Sequence, residues 1–159
     1  MILGILSDSH GRAQITKRAV ALLVDRGADQ LVYCGDVGSE MVLQELLLKP
    51  ALLVWGNCDY DRAPMKRFAQ ALGITVADGH GELSCSRGRI GVFHGHEIEF
   101  ESAIHSGQYC YLLHGHSHLC RDERIGKTRV INPGALHRAA TKTVALLNTE
   151  SDQLEFLVV

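Results

Sequence analysis

The chain has 159 residues, 46% of them hydrophobic and 21% charged, and 16 Lys plus Arg against 18 Asp plus Glu give a formal net charge of −2. That is the length of one domain with its own core, without the clustered basic excess that long nucleic acid demands. No apolar run is long enough to cross a bilayer and no basic segment precedes the opening Ile-Leu-Gly-Ile-Leu, so a cytoplasmic protein that does not engage membranes is expected.

Residues 1–7 read as a strand. Across 12–26, Ile15, Ala19, Leu22 and Leu23 fall at helical spacing, with Gly27 where a C′ glycine belongs. Residues 30–34 are a second strand, 39–48 a helix with Ser39 as N-cap and Pro50 beyond its end, 51–55 a third strand, and 63–72 a third helix before Gly73. This alternation predicts βαβ units with parallel pairing. From about Thr75 strands predominate, at 82–86, 89–93, 109–113, 120–125, 128–132, 143–148 and 153–158, with turns at Arg87-Gly88 and Gly126-Lys127 and one short helix near 99–105. Their pairing reads as antiparallel or mixed. No repeat or linker divides the chain, so one domain over 1–159 is expected, two sheets face to face with helices outside. Cys34, Cys58, Cys85, Cys110 and Cys120 are odd in number with no CxxC pair, which speaks for a reducing compartment. Several lie in apolar runs, where free Cys behaves as a small buried hydrophobe.

Polar residues collect where the strands end. The first ends in Asp8-Ser9-His10, the second in Gly35-Asp36 and the third in Gly56-Asn57-Cys58-Asp59. The 89–93 run ends in His94-Gly95-His96, and 109–113 in His114-Gly115-His116-Ser117-His118. The carboxyl edge of an α/β sheet is where ligands bind. In extended chain, residues i and i+2 share a side, so Asp8 is expected to share an ion with His10, and His116 and His118 to converge on one site. A lone His-x-His is a weak signal, but this ordered series is a strong one. About seven donors are too many for one catalytic ion with open positions and suit two ions sharing a carboxylate. Oxygen and imidazole donors without thiolate suit divalent Mn foremost, with Ni, Zn and Fe as alternatives.

These motifs, closed by Asn132-Pro133-Gly134, resemble the calcineurin-like metallophosphoesterases over nearly the whole chain. The small size and Gly56-Asn57-Cys58-Asp59 are most similar to that family's small bacterial and archaeal phosphodiesterase branch. The resemblance implies a four-layer α/β/β/α sandwich of two mixed sheets. It implies that Asp8, His10 and His118 hold one metal, that Asn57, His94 and His116 hold a second, and that Asp36 bridges both. The implied activity is hydrolysis of aryl or nucleotide-type phosphodiesters by a hydroxide bridging the two ions. Two positions depart from the family pattern. Ala135 stands where Ser usually follows Asn-Pro-Gly. Cys58 stands where many members carry the His that protonates the leaving oxygen, and a thiol with an ordinary pKa near ~8.5 is a poor acid at neutral pH. Esters with good leaving groups are therefore favoured.

His96, two residues from His94, is the candidate phosphate contact or substitute acid, weighed against a brace behind the ligands. Cys58 reads as a spacer rather than a nucleophile, and Asp59 as an acceptor able to orient a histidine. His114 reads as a satisfied core histidine, His80, His105 and His137 as exposed, Arg138 as solvated unless it reaches a phosphate, and Asn132-Pro133-Gly134 as a rigid turn backing the site. The expected partner is a small phosphoester. Apolar edge strands in the second half would also suit a homo-oligomer. The alternatives are a phosphomonoesterase or nuclease of the same fold, or a retromer-subunit-like binding scaffold. The acidic balance and the lack of a basic, aromatic-lined groove disfavour the nuclease.

Overall fold

The computed structural model describes residues 1–159. β1 (Ile2–Leu6), β2 (Gln30–Cys34) and β3 (Ala51–Val54) are apolar at almost every position because both of their faces are covered. They pair in parallel through α1 (Ala13–Asp25) and α2 (Glu40–Gln44), which tightens into a 3-10 segment over Glu45–Leu48. Ser39 occupies the N-cap position but makes no side-chain cap bond. α3 (Arg62–Ala71) leads to β4 (Thr75–Ala77), a parallel edge strand too short to leave a pattern in the sequence.

The second sheet contains β5 (Gly81–Cys85), β6 (Gly88–Val92), β7 (Tyr109–Leu113), β8 (Cys120–Ile125) and β9 (Thr128–Pro133), in the order β5-β6-β7-β9-β8. Its three inner strands are parallel, α4 (Glu99–His105) crosses between β6 and β7, and the outer strands pair antiparallel. β10 (Thr143–Asn148) and β11 (Gln153–Val158), similar in texture to the second half, instead add antiparallel beside β1 and give the first sheet the order β11-β10-β1-β2-β3-β4.

Strand alternation sorts the core into three parts. Leu3, Ile5, Val32, Leu52 and Val54 meet Ile90, Val92, Tyr111, Leu113 and Ile131 between the sheets. Leu6, Leu31, Tyr33, Leu53 and Trp55 face the other way, onto Val20 and Leu23 of α1 and Leu43 of α2. Phe100 and Ile104 of α4 cover Phe93, Leu112 and Val130 on the outer face of the second sheet. The result is a four-layer α/β/β/α sandwich. Only Cys34 of the five free cysteines is buried; Cys58, Cys85 and Cys110 are half-buried and Cys120 is exposed. The β8 edge carries Arg121, Asp122, Glu123 and Arg124, a charged margin that resists strand addition, whereas β11 exposes Val158. No helix is long and apolar enough to cross a membrane.

Candidate metal centre

β1, β2 and β3 of the first sheet and β6 and β7 of the second end at one edge of the sandwich, and the polar motifs lie in the loops just beyond. The loop after β1 continues the parallel pairing past the strand: Asp8 N–H donates to Gly35 O (3.0 Å), His10 N–H to Asp36 O (2.9 Å) and Gly11 N–H to Val37 O (2.7 Å). Asp8, His10, Asp36, His116 and His118 have φ between 46° and 68°. The expectation of extended chain at these residues is therefore wrong. Left-handed turns, costing about 1–3 kcal/mol per non-glycine residue, aim the side chains instead. Contact excludes a side chain at Gly56 and Gly115: a Cβ on Gly56 would lie 2.0 Å from Asp36 Oδ1, and one on Gly115 2.0 Å from Ser7 Oγ and 2.6 Å from Asp8 Oδ2.

The side chains form two neighbouring groups. In the first, His118 Nε2 lies 3.2 Å from Asp8 Oδ1 and 3.5 Å from His10 Nε2. In the second, Asn57 Oδ1 lies 3.0 Å from His94 Nε2 and 2.9 Å from His116 Nδ1. His116 and His118 thus reach the same centre but enter different donor groups of it, because the turn between them is not extended. Asp36 Oδ2 sits between the groups, 3.5 Å from both His10 Nε2 and His94 Nε2.

This donor set fits divalent cations. Asp8 Oδ1 is buried and receives no hydrogen bond. His94 Nδ1 lies 2.7 Å from Cys34 O, which can only accept, so the ring presents an Nε2 lone pair toward Asn57 and Asp36. Burial opposes a charge on His94, but Asp36 and Asp8 outweigh it and raise its pKa. The field that draws a proton to this nitrogen would draw a metal ion to the same lone pair. Burial also raises Asp8, with the Ser7 hydrogen bond opposing, and burial lowers His10 and His116 toward the neutral form that ligates. Asp36 is pushed up by burial but held far below the carboxylate range by His94, the Cys58 N–H and His10.

Backbone staples hold the loops. The Asp59 carboxylate, 3% exposed, accepts from Gly38 N–H (2.9 Å), Gly56 N–H (2.9 Å) and Val37 N–H (3.3 Å), not from any histidine as the sequence suggested. Glu97 accepts from His94 N–H and Gly95 N–H at 2.7 Å each, and Arg62 clamps the carbonyls of Gly56 and Asp59. Neither was picked out in the sequence, although Glu97 directly follows the His94-Gly95-His96 motif. Asn132 Nδ2 donates to Gly115 O (2.7 Å) and Ser117 Oγ (3.1 Å), bracing the loop of His116 and His118 from behind.

His96 is exposed, its ring centroid 5.3 Å from that of His94 and 6.2 Å from that of His116. Cys58 Sγ groups with donors of His10 and Asp36, and burial followed by the Asp36 charge raises its pKa, so it stays a thiol. His114 is buried with Nδ1 bonded to Gly115 O, but its Nε2 has no partner, so it is not fully satisfied. His137 is half-buried beside His10 rather than exposed, while His80 and His105 lie at the surface.

The family model described as the calcineurin-like phosphoesterase superfamily domain matches residues 1–152. Phosphodiesterase MJ0936 of Methanocaldococcus jannaschii is 27% identical, the match covering 99% of each chain. Phosphodiesterase YfcE of Escherichia coli K12 is 28% identical over 86% of this chain and 79% of its own. The solved structure of an archaeal phosphodiesterase superposes over the whole of both chains with a TM-score of 0.91 at 26% identity. Zinc-complexed Vps29 of Entamoeba histolytica, 16% identical over 100% of this chain and 98% of its own with a TM-score of 0.68, shares the fold.

Proposed function

The chain belongs to the calcineurin-like phosphoesterase superfamily and is a phosphoester hydrolase, and we propose that it cleaves phosphodiesters at a centre of two divalent ions, with Mn foremost. The observation that carries this reading is the place of Asp36, with one carboxylate oxygen equidistant from a histidine of each donor group. Asp8, His10 and His118 would hold one ion, Asn57, His94 and His116 the other, and Asp36 both. When bound, the ions supply Lewis-acid neutralisation of the phosphate and a water of lowered pKa.

The chain's own residues do the rest. Asp8 and Asp36 bring two negative charges into a buried site, which favours dications over monovalent ions and offsets repulsion between the two. Neutral His10 and His116 keep their lone pairs at neutral pH, and the Cys34 carbonyl fixes the tautomer of His94. The Asp59 and Glu97 staples keep the donors from shifting as charge moves toward the leaving oxygen. No strong acid stands at Cys58, so diesters with stable leaving anions are the preferred substrates, with His96, beside His94 and His116, free to contact phosphate or protonate. A retromer-type scaffold is the weaker reading, since a protein-contact surface gains nothing from seven converging donors.

A panel of aryl diesters, alkyl monoesters and single-stranded DNA, run with Mn, Ni, Zn, Mg and chelator, tests the proposal. Metal-dependent turnover greatest on the aryl diester is expected. Turnover that survives chelation, or two-ion stoichiometry failing by elemental analysis, counts against it.

A further inference from the structure

Beside His116 and His118 the surface opens into a cavity of about 560 Å³, within the range of small-molecule sites. One wall runs from His118 through Leu119, and the other is the turn carrying Arg138, Ala140 and Thr141. No carboxylate lines it. Leu119 is 70% exposed although its loop is rigidly braced, an apolar side chain that the fold itself leaves unused. Arg138 lines the recess at φ 52, a conformation that costs a bulky residue energy. Its guanidinium is near enough to His10, Cys58 and His137 for its charge to act on each.

We propose that this recess is the subsite for the organic arm that a phosphodiester keeps after hydrolysis, a group of aryl or nucleoside size, with Arg138 at its mouth holding a non-bridging phosphate oxygen. The inference rests on the phosphodiesterase reading and narrows its substrate class. The lining identifies which arm. Cys58 and His96, the positions that face a leaving oxygen in that reading, are outside the recess, and His116 and His118 are committed as ligands. An arm lying against Leu119 therefore faces neither Cys58 nor His96 and is the one retained. Water's oxygen bonds to phosphorus, the P–O bond to the other arm breaks, the departing oxygen takes up water's proton, and the monoester keeps its arm in the recess.

Bis(p-nitrophenyl) phosphate and methyl p-nitrophenyl phosphate release the same phenolate and differ only in the arm that stays. The wild-type chain, at its best metal, should prefer the first in kcat/KM. Ala140→Trp, at an exposed position where the ring fills the recess, should lower the ratio of the two kcat/KM values about tenfold, mainly through KM. Leu119→Asp should shift it the same way, and a melt superimposable on wild type shows that each variant folds. Arg138→Gln should weaken both substrates alike, about tenfold, since both carry the phosphate it contacts. An unchanged ratio in the variants, or a wild type indifferent to the arm, overturns the subsite and leaves the phosphodiesterase reading standing. No turnover of either diester with any metal removes that reading, and the subsite with it.

Discussion

Replacing Asp59 by alanine tests whether the loops, rather than the ligands alone, make the centre. The substitution leaves the N–H groups of Gly38, Gly56 and Val37 without their buried acceptor. Hydrogen bonds to a charged group contribute about 1.5–3 kcal/mol each. Counting the two at 2.9 Å in full and the one at 3.3 Å as a fraction, Asp59→Ala should cost about 4 kcal/mol. That is a large part of the ~5–15 kcal/mol holding a domain folded, and about 12 °C in Tm at this length. Asp59→Asn keeps one acceptor oxygen but turns an amide N–H toward a backbone N–H, so it should cost about half as much. Because these N–H groups belong to the segments carrying Asp36 and Asn57, metal affinity should fall about 10–100-fold as well. Urea unfolding followed by circular dichroism gives the first quantity, and activity titrated against metal concentration gives the second. An Asp59→Ala protein within 1 kcal/mol of wild type and with the same metal requirement would refute the staple.

Three further outcomes are expected. Asp36→Asn should abolish turnover more completely than Asn57→Ala at saturating metal, since one carboxylate oxygen faces both groups whereas the amide serves one; equal residual rates would remove the bridging role. Cys58→His should raise kcat/KM on monoesters or alkyl esters more than on aryl diesters, by up to about 10²-fold, because an acid matters most when the leaving oxygen is basic; a uniform change would move that role to His96. Burial lowers His114 from 6.5 to about 4, so between those values the unfolded chain binds a proton that the fold refuses. Stability should therefore fall as pH drops through that window, with about 2 kcal/mol lost from pH 8 to pH 5. His114→Phe should flatten this dependence, and urea midpoints that track pH as steeply as wild type would contradict it.

The layers and the inventory of the site are legible in the order of residues alone. β1, β2 and β3 could be read because strands covered on both faces must be apolar throughout, and α1 because its buried residues keep helical spacing. The donors at five strand ends were equally legible, since carboxylate and imidazole beside glycine at that edge have few other uses. The chain order of β10 and β11 said nothing of their sheet: their amphipathic pattern suits either one, and only pairing with the open edge of β1 decides it. β4 was lost because three residues carry no periodicity. The partition of His116 from His118 was hidden for a different reason. Strand parity predicts one shared side, and the left-handed turns that separate them are held by Asn132 on β9 and by the close approach of Gly115 to Ser7 on the other sheet. Asp59 was visible as a residue but not as a staple, since the N–H groups it satisfies are set by the approach of the β2 and β3 loops. Residue types are fixed locally by the chemistry they must perform. Their aim is fixed by contacts between segments far apart in the chain, which exist only once it has folded.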